Sequence, residues 1–293
     1  MLTIGSRGSQ LALWQARFIG GQLAENGVES RIEIIKTSGD RLQSASLIQA
    51  GGKGLFTKEI EEALLSGQID LAVHSLKDLP TESTQGLTIA AVPKRASPFD
   101  VIVGARMADL KQSAVVGTSS PRRMAQLRNL RPDLKMEPIR GNVDTRLRKL
   151  REGAFDAILL AAAGLERLGL GHEIAEVFTP EQMCPAPGQG ALGVQTRLNE
   201  EAQTICGRLN DETTNQAVRA ERAVLAGLGG GCQLPVGAYA FVEGDELTVS
   251  GVVAAPDRQL IVRSSATGRA RGAEDLGRRV ADDLLAQGAG CLL

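Results

Sequence analysis

The sequence predicts an α/β protein that consists of two similar strand–helix repeats followed by a small C-terminal α+β domain. A strand–turn–helix order in residues 2–75 recurs in residues 114–159, whereas residues 239–263 hold three short strands joined by turns. Apolar residues make up 43% of the 293 residues, which is enough for more than one core. Twin repeats of this kind are typical of two α/β domains that face one another across a cleft.

The first repeat begins with a short strand and a polar turn, and Ser9 is placed to cap the helix that follows. Gly67 is suited to a C-cap and is expected to end the second helix. The predicted elements, in order, are strand 2–5, helix 10–23, strand 32–35, a helix that opens at Gly51–Gly54 and runs to Ser66, and strand 69–75.

The second repeat follows the same order, and Pro121 occupies the first position of its first helix. Its predicted elements are strand 114–117, helix 121–130, extended segment 134–139, helix 143–152 and strand 153–159. The C-terminal domain is predicted to contain helix 214–226, strands 239–242, 247–253 and 260–263, and a closing helix 273–286.

Positive charge is concentrated in one part of the second repeat. The chain has a net charge of only −1, but Gly117–Arg151 holds eight Arg and two Lys against three acidic residues and is therefore +7. Arg122 and Arg123 lie in the first turn of a predicted helix, where cations oppose the helix dipole. An anion bound at the free N–H groups beside Ser119 and Ser120 would reverse this effect. Cations at comparable helix starts are Arg7 and Lys53.

The alternative is a solvated basic face, but the recurrence at several helix starts favours anion binding. Nucleic acid is disfavoured because aromatic residues make up only 3% and provide few stacking platforms. A P-loop is excluded because Leu47 stands where its first glycine belongs. Gly188–Gly193 matches GxGxxG but follows a proline-rich segment and not a strand, so we interpret it as a hinge back into the first domain. Planar carboxylates remain, and arginine binds them with two parallel hydrogen bonds.

Cys232 follows Gly229–Gly231 and precedes Pro235. Such a loop either presents the thiol to a ligand or places a small buried residue after a helix C-cap, and these residues alone favour neither interpretation. The four cysteines are widely spaced and form no CxxC pair, so no zinc site is expected. The other three have no comparable loop and are expected to be structural: Cys184, Cys206 and Cys291.

The N-terminal residues lack the features of a signal peptide, and no long apolar run is present. The expected location is therefore a reducing cytoplasm.

Asp78 is the single acid that we select as a functional candidate. It ends a predicted strand beside Lys77, in a loop predicted to face the cleft, where a carboxylate could stabilise positive charge that develops during a reaction. The alternative is a Lys–Asp surface turn. His74 is predicted to pack inside the protein and is given no role.

These residues together resemble the porphobilinogen deaminase family, also called the hydroxymethylbilane synthase family, over nearly the whole chain. The resemblance rests on Gly51–Phe56, His74–Asp78, Gly117–Ser120 with Arg122 and Arg123, Arg140–Asn142, Gly188–Gly190 and Gly230–Gln233.

The resemblance implies two α/β domains of the periplasmic-binding-protein type II fold, facing a cleft, and a third domain that carries the cysteine. Domain 1 would comprise residues 1–93 and 189–209, domain 2 residues 94–188, and domain 3, an α+β domain with an antiparallel sheet, residues 210–293.

The implied chemistry is a transferase reaction. A dipyrromethane cofactor would be joined to Cys232 by a thioether, and four porphobilinogen molecules would be added head to tail with loss of ammonia, giving the linear tetrapyrrole hydroxymethylbilane. Asp78 matches the family's catalytic aspartate, which contacts pyrrole nitrogens. The positions that match cofactor- and substrate-binding residues are Arg7, Ser9, Lys53, Lys77, Thr118, Ser119, Ser120, Arg122, Arg123, Arg140, Arg146, Arg167 and Gln189.

Each pyrrole carries an acetate and a propionate, which would account for an arginine-rich cleft. The expected enzyme is a cytoplasmic monomer that binds porphobilinogen and neither metal, nucleic acid nor membrane. Three departures from the family pattern are Gln49, where relatives have Lys, Pro121, and the segment Cys184–Pro187. The alternative from another functional class is a non-catalytic protein that binds a small anion, which would have no use for the Cys232 loop.

Overall fold

The computed structural model describes residues 1–38, 57–231 and 234–293. They form two compact units, of which the first comprises Met1–Arg95 and Ala191–Asn215 and the second comprises Ala96–Gly190 and Gln216–Leu293. The predicted three-domain division, with its boundary inside the second unit, stays a prediction. Elements are numbered along the chain.

The first unit is built on one five-stranded sheet. Its strands are β1 (Leu2–Ser6), β2 (Ser30–Ile34), β3 (Leu71–Ser75), β4 (Leu87–Ala91) and β10 (Leu192–Arg197), and its helices include α1 (Gln10–Glu25), α2 (Lys58–Leu65) and α6 (Glu201–Gly207). The strand order is β2-β1-β3-β10-β4. β1 is parallel to β2 and β3, whereas β10 runs antiparallel to both of its neighbours.

The core of the first unit forms because α1 has one apolar face. Ala16, Ile19 and Leu23 recur at helical spacing, are fully buried, and pack against Ile4 of β1 and Leu71 of β3. The Oγ of Ser9 accepts a hydrogen bond from the N–H of Ala12 and caps the helix, as predicted.

The second unit contains a sheet of the same kind. Its strands are β5 (Asp100–Val103), β6 (Val115–Gly117), β7 (Lys135–Glu137), β8 (Ala157–Ala161) and β9 (Ile174–Val177), and the helices between them are α3 (Pro121–Leu130), α4 (Val143–Arg151) and α5 (Ala162–Arg167). The order is β7-β6-β8-β5-β9, with β6 parallel to β7 and β8, and β5 antiparallel to β8 and β9.

The two sheets therefore share one topology. Each has three parallel strands in the order two–one–three, followed by an antiparallel strand and one further edge strand. This is the strand order of the periplasmic-binding-protein type II fold, so the predicted fold class is confirmed.

The second unit also holds an antiparallel sheet of three strands in the order β11-β12-β13. Its strands are β11 (Val236–Glu243), β12 (Glu246–Ala254) and β13 (Ile261–Arg269). The helices of this part are α7 (Glu212–Gly227), which belongs to the second unit from Gln216 onwards, and α8 (Ala273–Ala286). Val280 and Leu284 of α8 are buried against this sheet. Glu243 pairs with Glu246 across a two-residue turn in which Gly244 has a positive φ of 61°.

The predicted helices 121–130 and 273–286 have the observed ends, and the other predicted ends differ mostly by a few residues. The opening of the helix predicted from Gly51 lies outside the described residues. In residues 1–38, 57–231 and 234–293, no helix has the length and apolar character needed to cross a membrane.

Candidate functional site

Asp78 lies in a short 3-10 turn, Leu76–Asp78, that directly follows β3. Leu76 is buried and its N–H donates to the carbonyl of Ala191, which fixes the start of the turn. The side chain of Asp78 is exposed. The structure therefore places this carboxylate at the carboxyl end of a central strand, as the sequence predicted.

Arg7 and Ser9 lie in the turn that follows β1. Since β1 and β3 are adjacent and parallel, this turn and the Asp78 turn leave the same edge of the sheet. The amide of Gln15 donates to Ser75 Oγ at 2.8 Å and joins α1 to the end of β3. The first unit thus brings together four of the predicted site residues, which are Arg7, Ser9, Lys77 and Asp78.

In the second unit, the loop after β6 carries the predicted site residues Thr118, Ser119 and Ser120, and it contacts the loop after β7. Ser119 Oγ donates to the carbonyl of Ile139 at 2.8 Å and joins the two loops. Ser120 is the N-cap of α3, and its Oγ accepts from the N–H of Arg123 at 3.4 Å. Thr118 is buried directly before them.

Arg122 and Arg123 do not project into solvent from the helix start. Their side chains are only 5% and 8% exposed, and both pair with the fully buried Asp100 at the start of β5. Arg122 Nη1 lies 2.5 Å from Asp100 Oδ2, and Arg123 Nε lies 2.8 Å from Asp100 Oδ1. Burial alone would raise the pKa of Asp100, but the two guanidinium groups hold it well below its usual range.

Sequence reasoning missed Asp100. It interpreted the two arginines as cations that await an external anion, whereas the chain itself supplies one carboxylate to them. The available signal was an acid at the start of the apolar run Asp100–Val103, where an ionised side chain requires a partner. The binding roles of Arg122 and Arg123 stay predictions.

Gln189 belongs to the same cluster. Its amide donates to the carbonyl of Pro98 at 2.7 Å and to Asp100 Oδ1 at 3.1 Å. Gly190 follows with φ of 84°, and a Cβ there would lie 2.6 Å from the carbonyl oxygen of Ser97. Only glycine permits this close approach, so the match to GxGxxG has a packing explanation.

Arg146 and Arg167 add two further cations in the second unit. Arg146 Nε donates to the carbonyl of Gly141 at 2.8 Å, and Arg167 Nη2 donates to the carbonyl of Gly190 at 2.7 Å. Burial, together with the nearby charge of Arg123, lowers the pKa of Arg146 to about 10. Burial also lowers the pKa of Arg167 to about 10.

Arg140 is exposed in the loop before α4, where its carbonyl accepts from the ammonium group of Lys149. Two of the predicted site residues, Lys53 and Cys232, lie outside the described residues, as does Gln49. The chain that leads to Cys232 is described as far as Gly231, and Gly229 and Gly230 have φ of 99° and 73°. These left-handed conformations agree with the predicted use of glycine in this loop.

Two other thiols behave as structural residues. Cys184 and Cys206 are free and buried, and burial raises the pKa of each to about 12. Cys291 is free and exposed. His74 is buried, as predicted, and its Nε2 lies 3.0 Å from Oε1 of Gln195.

Comparison with known proteins gives the family. The profile described as "Porphobilinogen deaminase, dipyromethane cofactor binding domain" matches residues 2–204, and that described as "Porphobilinogen deaminase, C-terminal domain" matches residues 215–286. This chain belongs to the porphobilinogen deaminase family.

Relatives in the porphobilinogen deaminase family match along almost the entire chain. The protein named porphobilinogen deaminase from Geotalea daltonii is 48% identical, over 100% of this chain and 93% of its own. That from Roseiflexus sp. is 50% identical, over 100% of this chain and 98% of its own.

A solved structure with a similar fold is a periplasmic substrate-binding protein of an ABC transporter from Coxiella burnetii. It has 14% identity and a TM-score of 0.46, and the match covers 71% of this chain and 92% of that protein.

The residues of the second unit fit the cofactor named in the porphobilinogen deaminase family profile. A dipyrromethane made from porphobilinogen carries carboxylates, and the second unit offers partly desolvated cations to receive them. Arg146 has no acidic partner among the described residues, and its pKa is lowered mainly by burial and further by the positive charge of Arg123. A bound carboxylate would offset this positive charge.

Proposed function

We propose that this protein condenses four porphobilinogen molecules head to tail, with loss of ammonia, into the linear tetrapyrrole hydroxymethylbilane. Its membership of the porphobilinogen deaminase family supports this activity, and so does the full-length similarity to proteins of that name. The structural observation that carries the proposal is the cluster of buried or partly buried arginines at the helix starts that follow the parallel strands β6 and β7, which suits a substrate rich in carboxylates: Arg122, Arg123 and Arg146.

The chain's own residues have two roles in this proposal. The cations hold acetate and propionate groups and so orient each pyrrole ring, which lowers the entropic cost of bringing two rings together. The exposed carboxylate of Asp78 stabilises positive charge that develops near pyrrole nitrogens during loss of ammonia and carbon–carbon bond formation. The dipyrromethane, when attached to Cys232, supplies the free pyrrole carbon to which the first porphobilinogen molecule is joined.

The competing proposal is a binding protein without catalysis, which the fold alone permits. Intact-mass measurement separates the two, because the deaminase carries two pyrrole units in excess of the sequence mass and a binding protein does not. Cys232→Ser should remove this extra mass and abolish tetrapyrrole formation, because an alcohol forms an ether far less readily than a thiolate forms a thioether. A Cys232→Ser protein that forms hydroxymethylbilane at the wild-type rate would contradict the proposal.

We further propose that the enzyme acts as a monomer in the cytoplasm. The free thiols of Cys184, Cys206 and Cys291 suit a reducing compartment. Light scattering on the purified holo protein measures its mass in solution, and the mass of a dimer would contradict the proposed monomeric state.

A further inference from the structure

Asp100 accepts hydrogen bonds from three residues that are predicted to bind substrate. Its Oδ1 accepts from Arg123 Nε at 2.8 Å, from Arg122 Nη2 at 3.2 Å and from Gln189 Nε2 at 3.1 Å. Its Oδ2 accepts from Arg122 Nη1 at 2.5 Å. No part of the Asp100 side chain is exposed, so it acts on these partners and not directly on a ligand.

The carboxylate fixes the direction of both guanidinium groups. Arg122 Nη1 also donates to the carbonyl of Cys184, and Arg123 Nη1 donates to the carbonyl of Leu159 at 3.0 Å. Arg123 Nη2 also lies 2.7 Å from Asp100 Oδ1. Within the described residues, these contacts involve three of the five N–H bonds of Arg122 and at most three of those of Arg123, so each arginine retains at least two N–H bonds for a ligand carboxylate. A pair of N–H bonds is what a bidentate carboxylate contact requires.

The charges also have a simple balance. Arg122 and Arg123 contribute two positive charges and Asp100 one negative charge, so this triad carries +1. Arg146, whose electrostatic interaction with Arg123 is repulsive, brings the total to +2. Asp100 thus offsets one of the three positive charges in this cluster and reduces the repulsion among the arginines.

We propose that Asp100 is a positioning residue, which orients Arg122 and Arg123 and offsets one positive charge of the second unit's half-site, the cluster of Arg122, Arg123 and Arg146. This proposal rests on the proposed function and adds a residue that touches no substrate.

Replacement by asparagine separates orientation from charge. Asp100→Asn makes the half-site more positive, so charge alone would strengthen binding of an anionic substrate. However, the amide nitrogen of asparagine is itself a donor and cannot accept a hydrogen bond. If it replaces Oδ2 it faces the donor Arg122 Nη1, and if it replaces Oδ1 it faces the donors of Arg122, Arg123 and Gln189. In each orientation at least one guanidinium is displaced, so positioning predicts weaker binding.

The test compares cofactor occupancy, by intact mass, and the KM and kcat of the holo fraction for porphobilinogen. We expect Asp100→Asn to lower occupancy or to raise KM by about tenfold or more, the effect of one misdirected charge-assisted hydrogen bond. The kcat of the holo fraction should stay within about threefold, because Asp100 does not contact the reacting atoms. Asp100→Glu keeps the charge but shifts it by one methylene group, and it should raise KM as well.

Asp133→Asn is the matched control. It removes one acid from the same unit at a surface pair with Arg131, and it should leave both occupancy and KM unchanged. Circular dichroism checks the fold, and if Asp100→Asn does not fold, Asp100→Glu decides.

Several results would overturn the proposal. They are an Asp100→Asn protein with wild-type occupancy and an unchanged or lower KM, wild-type behaviour of Asp100→Glu, a loss of kcat at wild-type occupancy and constant KM, an equal effect in Asp133→Asn, or failure of both Asp100 variants to fold. Wild-type protein without the extra pyrrole mass would instead overturn the proposed function, so the two failures are distinguishable.

Discussion

Acid should destabilise the first unit through one buried side chain, His74. Its ring is 6% exposed, and burial lowers its pKa from 6.5 to about 4, against a weaker opposing effect of the hydrogen bond to Gln195. The amide of Gln195 in turn donates to Glu61 at 3.0 Å, and Glu61 accepts from Thr84 at 2.8 Å. The imidazole is therefore neutral in the folded protein and held in a continuous hydrogen-bond network.

The sign and size of the effect follow from this pKa. The unfolded chain binds a proton at His74 below pH 6.5, whereas the folded protein binds it only near pH 4, so stability is full above pH 6.5 and falls as the pH is lowered. The loss from this group is about 2 kcal/mol at pH 5 and approaches about 3 kcal/mol below pH 4.

Trp14 provides the assay, because it is the single tryptophan of the chain and lies in α1 of the same unit, stacked on Phe18. Urea unfolding followed by Trp14 fluorescence at pH 7, 6 and 5 gives the free energy of unfolding. His74→Gln keeps an amide donor, but it replaces a buried ring and should lower the free energy of unfolding at pH 7. Because glutamine cannot take up the proton, the variant should lose about 2 kcal/mol less of this free energy than the wild type between pH 7 and pH 5.

His172→Gln is the control, since the His172 side chain is 72% exposed, and it should keep the wild-type pH dependence. Every carboxylate is retained in all three proteins, so the difference between the two variants isolates the contribution of His74. Parallel stability curves for wild type and His74→Gln between pH 7 and pH 5 would refute the reasoning.

Two further predictions concern the proposed reaction. Asp78→Asn should slow single-turnover ammonia release from holo protein by about two orders of magnitude or more, because the exposed carboxylate acts through its charge. Asp78→Glu keeps the charge and should retain more activity. Equal rates for wild type and Asp78→Asn would show that Asp78 is only a turn residue. Arg140→Leu should impair cofactor assembly or elongation and leave the free energy of unfolding unchanged, because Arg140 is exposed. Arg123→Leu should also lower the free energy of unfolding by about 3–5 kcal/mol, because it removes one partner of a buried ion pair. Denaturant unfolding of both variants checks this contrast, and equal free energies of unfolding would show that the buried carboxylate of Asp100 does not need Arg123 for its stability.

The repeated parallel strands could be predicted from the sequence because their signals are local. Apolar strands, polar turns and capped helices follow one another within each repeat, and Pro121 and Ser9 mark helix starts by their own chemistry. The antiparallel strands β5 and β10 were missed, because their neighbours are distant in sequence and no turn announces them. Leu192, for example, pairs with Ser75.

The site shows the same division. The positions of Asp78 and the loop serines at strand ends and helix starts could be predicted from local patterns, and their roles stay predictions. The pairing of Asp100 with Arg122 and Arg123 was not found, because it exists only after β5 has inserted beside β8 and brought Asp100 to the start of α3. Charge counting along the chain cannot recognise such a pair, since the acid lies outside the basic segment.

The place of β10 between β3 and β4 has a consequence for the order in which the protein matures on the ribosome. In the part of the chain that the structure describes, β4 pairs only with β10, and β10 ends at Arg197, more than a hundred residues later. The second unit's five-stranded sheet is complete in sequence at Val177. Of the two five-stranded sheets, the one that synthesis begins first is therefore completed second, and until Arg197 has emerged the inner edges of β3 and β4 are open to other extended chains.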